Sequence, residues 1–84
     1  MDKTSLFDVS LIKKEIIRTT LESVYDILTE RGYNAVNQIV GYLMSGDPGY
    51  ISGYKEARSM IQEIDRAEIL AYLLSENLKW DLLV

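Results

Sequence analysis

The sequence predicts an all-α fold, a compact bundle of four to five short helices that forms a homodimer with helices shared at the interface. Three observations predict it. Apolar residues recur at helical spacing in the first and last parts of the chain, and residues 32–51 read as a succession of helix caps and turns. The third is the breadth of the apolar faces, which exceed the roughly 100° stripe that a surface helix needs. A chain of 84 residues forms one domain and buries only about 60 to 65% of its unfolded surface, so its stability is marginal. With no cysteine and one proline, neither a disulfide framework nor a thiolate metal site adds to the core. Burial against a second copy is the expected remedy.

Residues 1–9 contain Thr4, Ser5 and Asp8 and lack a helical period, so they are expected to form a flexible tail before a single helical domain over 10–84. Ser10 is the expected N-cap of a first helix running to about Arg31. On it Ile17, Leu21, Val24 and Leu28 recur at i, i+4, i+7 and i+11, with Ile12, Ile16 and Ile27 on an adjoining flank. Glu15, Arg18, Glu22 and Asp26 are left for solvent. Such a helix is expected to be buried on two sides.

Gly32 follows the last helical residue and suits a left-handed C-cap. Asn34 then caps a second helix whose expected inner face is Val36, Ile39, Val40 and Leu43. Gly41 inside it costs about 1 kcal/mol relative to alanine, which points to another backbone passing closely. Gly46 ends that helix, and Asp47-Pro48-Gly49 restarts the chain through a capping carboxylate and a proline at the first position of a new turn. Lys55 to Ile64 reads as a further helix with Ala57, Met60, Ile61 and Ile64 inward. Asp65-Arg66-Ala67-Glu68, an acidic analogue of the capping box, opens a last, broadly apolar helix through about Lys79, with Trp80 beyond it.

Charge and chemistry exclude more than they assign. Residues 1–42 hold five basic and six acidic side chains and residues 43–84 hold four and seven, so neither half is a basic footprint for nucleic acid. A helix-turn-helix reading of residues 32–54 fails on the absence of any lysine or arginine there. No run approaches the roughly 18 to 20 apolar residues that span a bilayer, and Asp2 and Lys3 break any leader pattern, so a cytoplasmic protein without membrane insertion is expected. With no histidine or cysteine, base chemistry would rest on a strongly shifted carboxylate or lysine, and Glu22 with Asp26 reads as a solvated pair. Ser45 to Gly49 lacks the Gly-Lys-Ser/Thr ending of a phosphate loop, and no Asp-x-Asp-x-Asp-Gly loop exists for calcium. No enzyme, cofactor or metal is expected.

The aromatic and amide side chains are the remaining candidates. Tyr25, Tyr33 and Tyr42 fit core filling with hydroxyls at the rim, whereas Tyr50 and Tyr54 flank the glycine-rich turn and equally fit anchors for a partner. Asn34, Asn37 and Gln38 are either ordinary caps or an amide cluster between elements. Thr4 and Ser5 are hydroxyls on a segment that suits a kinase.

The string Gly-Tyr-Asn-x-x-Asn-Gln-Ile-Val-Gly-Tyr-Leu-x-Ser-Gly-Asp-Pro-x-Tyr-Ile from Gly32 to Ile51 is followed by Ala57-Arg58, Ile61, Asp65-Arg66 and Glu68-Ile69-Leu70. Together these residues closely resemble the IreB/ReoM family of small regulatory phosphoproteins of Gram-positive bacteria. The resemblance implies a non-enzymatic helical homodimer and a substrate of a membrane-anchored Ser/Thr kinase and its cognate phosphatase. It further implies control of peptidoglycan synthesis and cephalosporin tolerance, in some members through Clp-protease turnover of a cell-wall biosynthetic enzyme. The family's threonine shortly before phenylalanine is matched by Thr4-Ser5-Leu6-Phe7, which makes Thr4 the expected phosphorylation site and Ser5 the reserve. The chain departs from the family in keeping Arg58 and Arg66 but placing Gln62 and Glu63 between them, where relatives carry extra arginines. A partner-binding surface of Tyr50, Tyr54, Arg58 and Arg66 is expected, left open by the unmodified tail. The two arginines, eight residues apart, share a face only if no break intervenes at Asp65.

Overall fold

The computed structural model describes residues 3–78, with side chains described from Leu11 onward. Four α-helices and two short 3₁₀ turns follow one another, with no strand among the described residues: α1 (Lys3–Glu30), α2 (Ala35–Ser45), a 3₁₀ turn at Pro48–Tyr50, another at Tyr54–Glu56, α3 (Ala57–Gln62) and α4 (Arg66–Asn77). α1, at 28 residues, is not short. At 1.5 Å per residue it measures about 42 Å, which accounts for the 44 Å long axis of a molecule only 22 and 20 Å across.

α1 begins at Lys3 rather than near Ser10, so residues 3–9, expected as tail, have helical backbone and Ser10 is not a cap. No glycine or proline in residues 3–30 interrupts propagation of the helix. Its other end follows the expectation. Gly32 adopts φ 89°, its N–H donates to the Thr29 carbonyl at 2.9 Å and the Tyr33 N–H donates to the Leu28 carbonyl at 3.0 Å. This paired pattern is the Schellman motif, which a left-handed residue makes possible.

Asn34 caps α2 as expected, its Oδ1 accepting the Asn37 N–H at 3.0 Å. The inner face differs. Ala35, Tyr42 and Leu43 are buried and Ile39 packs at the edge of the core, whereas Val36 and Val40 are 58% and 45% exposed. Gly41 explains the rotation, because a Cβ there would come within 3.0 Å of the Tyr50 ring. What passes closely is a side chain returning from the first 3₁₀ turn, not another backbone. That turn is fixed as the sequence suggests, with Asp47 Oδ1 accepting the Gly49 N–H at 2.8 Å and Pro48 at its start.

The helix expected over Lys55 to Ile64 is broken. Lys55 and Glu56 both have positive φ, 46° and 67°, so a 3₁₀ turn precedes α3. α4 starts at Arg66, but Asp65 makes no side-chain cap, and the expected capping box does not form. Glu68 is drawn away to an ion pair with Lys13 on α1. α4 ends at Asn77 with Leu78 as its cap; Lys79 and Trp80 lie outside the described residues.

The core is a single apolar cluster. Ile17, Val24 and Leu28 of α1 meet Ala57 and Ile61 of α3, with Ile51 and Ile69 closing the sides. No polar or charged side chain is buried among the described residues. Ile12 and Ile16 on α1, Val36, Val40 and Met44 on α2, and Leu70, Leu74 and Leu78 on α4 remain exposed. Tyr25 and Tyr33, expected as core filling, are exposed too, while Tyr42 is buried. No described helix is long and apolar enough to cross a membrane.

Candidate functional site

Thr4 and Ser5 fall in the first turn of α1 by backbone; their side chains lie outside the described residues. The four residues expected to bind a partner are described, and the structure distributes them over two places. Tyr50 lies with its ring against Gly41 of α2. Arg66 reaches the C-terminal end of the same helix, where Nη1 donates to the Leu43 carbonyl at 2.9 Å. Gly46, left-handed at φ 78° and donating its N–H to the Tyr42 carbonyl at 2.8 Å, closes that helix. A Cβ at Gly46 would sit 2.8 Å from Arg66 Nη2. The position therefore favours glycine for its φ, and any side chain there would also displace the guanidinium packed on it.

Tyr54 and Arg58 belong to the Ser52–Gly53 loop instead. The Tyr54 N–H donates to Ser52 Oγ at 3.1 Å, and the Arg58 N–H donates to the Ser52 carbonyl at 3.1 Å. Arg58 Nε donates to the Ile51 carbonyl at 2.8 Å. Because α3 stops at Gln62 and α4 starts at Arg66, the two arginines do not share a helix face. Each supports a backbone carbonyl of its own.

Around Tyr54 the structure assembles a cluster that sequence reasoning missed. The Tyr54 hydroxyl donates to Glu30 Oε2 at 3.1 Å and Lys55 Nζ pairs with the same oxygen at 2.9 Å. The Arg31 guanidinium carbon lies 5.3 Å from the centre of the Tyr54 ring and Lys55 Nζ lies 5.5 Å from it, both within cation–π range. The hydrogen bonds from Lys55 and Tyr54 hold the Glu30 carboxyl below its ordinary value, and Glu30 in turn raises Lys55. Ser52, and then Arg31, hold the Tyr33 phenol below the usual tyrosine range. Only the Gly32 stop gave any warning that Glu30 and Arg31 face a turn, and nothing in the residue order paired them with a segment 24 residues later.

The amides behave mostly as caps. Asn37 serves Asn34 through its backbone, and Gln38 alone reaches another element, its Oε1 accepting the Ser52 N–H at 3.0 Å. Glu22 is paired with Arg18, which also holds Glu15. No three His, Cys, Asp or Glu residues stand together as a metal site among the described residues. In comparison with known proteins, the family model described as IreB regulatory phosphoprotein matches residues 2–79.

Proposed function

The chain belongs to the IreB regulatory phosphoprotein family, and from that premise we propose that it regulates without catalysis, by binding other proteins according to its phosphorylation state. A membrane Ser/Thr kinase modifies Thr4, with Ser5 in reserve, and a cognate phosphatase reverses the step. The process under control is peptidoglycan synthesis, and with it cephalosporin tolerance, by way of a cell-wall biosynthetic enzyme or the Clp system that degrades it. The match across residues 2–79 carries this reading. A phosphate adds about −1.5 to −2 charge to a chain of net charge −4, enough to alter how a small acidic protein meets a charged partner.

The working form is a homodimer in the cytoplasm. Supporting it are the apolar stripes left uncovered on α2 and α4, since exposed apolar area of this kind marks interfaces. Tyr50 and Tyr54, with the guanidinium donors that Arg58 and Arg66 do not use on carbonyls, form the surface offered to the partner.

Tandem mass spectrometry of the chain isolated with and without its host kinase tests the central step. Phosphate on Thr4 that disappears with the kinase is the expected result, together with loss of the cellular response in Thr4→Ala. A Thr4→Ala protein that still answers to the kinase removes the proposal. A constitutive scaffold is the competing reading, favoured by the same apolar stripes. Equal capture of the partner by phosphorylated and unmodified protein would establish it.

A further inference from the structure

We propose that the corner where α1 ends receives a short acidic segment of a partner protein, its carboxylates held by Arg31, Lys55 and Arg58 with the hydroxyls of Tyr33 and Ser52. The inference deepens the reading of the chain as one that works through a protein partner, and it does not depend on phosphorylation of Thr4.

The cations of the chain are not used alike. Along α1, Lys13 pairs with Glu68, Lys14 with Glu76, and Arg18 with Glu15 and Glu22. Arg66 is half-buried against Leu43 and Gly46. Arg31 and Arg58 have no carboxylate within ion-pair distance among the described residues, and Lys55 shares only Glu30. All three surround the Ser52–Gly53 loop. Two carboxylates, Glu30 and the neighbouring Glu56, stand against the three cations, which leaves a local excess of positive charge on a protein whose overall charge is −4.

The donors are also held in place. Arg31 lies over the Tyr54 ring and beside the Tyr33 phenol, and Arg58 uses only Nε on the Ile51 carbonyl. A guanidinium fixed by stacking or by one backbone bond loses less freedom when it grips an oxyanion, and its planar fork matches a carboxylate or phosphate. Neutralising the end of the α1 dipole would account for Arg31 by itself. It does not account for Lys55, which comes from the other side of the loop and is brought there by two successive left-handed residues. Glu30 then acts as an internal stand-in for the ligand's acidic group.

The test is a titration of the full chain, followed by amide NMR, with two probes: a glutamate-rich decapeptide, and the phosphothreonine form of residues 1–10 of the chain itself. Shifts at the Gly32, Ser52, Gly53 and Lys55 amides, weakened by added salt, are expected with the first probe, which stands for a partner's acidic segment. Binding by the second alone assigns the site to the chain's own phosphorylated end and overturns the partner segment as its occupant. Arg31→Gln is expected to weaken binding about tenfold, the value of one charge-assisted hydrogen bond, and Lys13→Gln to leave it unchanged. Glu30→Gln, which removes the internal competitor and keeps an acceptor for Tyr54, is expected to tighten binding several-fold. Silence of these amides with both peptides, or unchanged affinity in Arg31→Gln, overturns the proposal. Should Arg31→Gln fail to fold, a Glu30→Gln protein that binds no more tightly than its parent does so as well. Binding here by the glutamate peptide, in a protein whose Thr4 is never modified in cells, would uphold this site and remove the phosphorylation reading.

Discussion

The Arg66 guanidinium caps the C-terminal end of α2 from the start of α4, donating from Nη1 to the Leu43 carbonyl at 2.9 Å. A helix end leaves its last carbonyls without partners, and a cation there also meets the negative end of the dipole. Arg66→Gln should therefore destabilise the protein by about 1 to 3 kcal/mol. In thermal denaturation that is a fall of roughly 4 to 8 °C per kcal/mol for a domain of this size. An unchanged melting temperature would mean that the contact is incidental, and that any loss of partner binding in the variant belongs to recognition alone.

Gly41 and Tyr50 make a pair whose coupling has a definite sign. In an exposed helix alanine is better than glycine by about 1 kcal/mol, yet here its Cβ would meet the Tyr50 ring within 3.0 Å, at carbons close to that residue's backbone. Gly41→Ala is expected to destabilise by about 1 to 3 kcal/mol, as overpacking does. In a Tyr50→Ala background the same change should become neutral or stabilising, and a double-mutant cycle in urea measures the difference.

Glu30 gives the α1 corner a dependence on acid. Its carboxyl is held below the ordinary glutamate value of 4.5 by the hydrogen bonds from Lys55 and Tyr54. A depressed pKa in the folded state means that the contribution is complete above 4.5 and fades as pH falls through the lower folded value. Glu30→Gln should flatten that part of the stability curve below pH 4.5. Identical acid limbs for parent and variant would show that the cluster contributes nothing. Because Glu30 is exposed, the difference is expected to be small and to shrink further in salt.

Leu74 tests the proposed pairing. It is 47% exposed, between Leu70 and Leu78 on the outer face of α4, so Leu74→Glu should cost little within one subunit. If α4 takes part in a dimer, the substitution buries a charge in an apolar contact and shifts sedimentation toward the monomer. A parent protein that sediments as a monomer at high concentration would remove the dimer altogether.

Local chemistry was well marked in the residue order, and long-range direction was not. Gly32, Asn34, Gly46, Asp47 and Pro48 act where a left-handed residue, a capping oxygen or a fixed φ is needed, because each of these depends on one or two neighbours. Spacing alone does not identify the inner face of α2, because Val36 and Val40 satisfy helical spacing as well as Ala35 and Tyr42 do. What decides between them is Tyr50, arriving from another element. Arg58 and Arg66 looked like free cations for the same reason, their carbonyl partners being 7 and 23 residues away. The residue order does not mark the start of α1, because residues 3–9 lack an apolar period, although they also lack anything that stops a helix.

Lys55 and Glu56 occupy adjacent left-handed conformations without a glycine between them. Such residues typically hold about 1 to 3 kcal/mol of unfavourable backbone energy each, in a domain whose margin is only a few times larger. Glycine at either place would relax the corner, reversing its usual penalty beside a helix. The molecule thus keeps two long charged side chains at a bend where a bare backbone would be more comfortable, and forgoes robustness that its own geometry would have allowed.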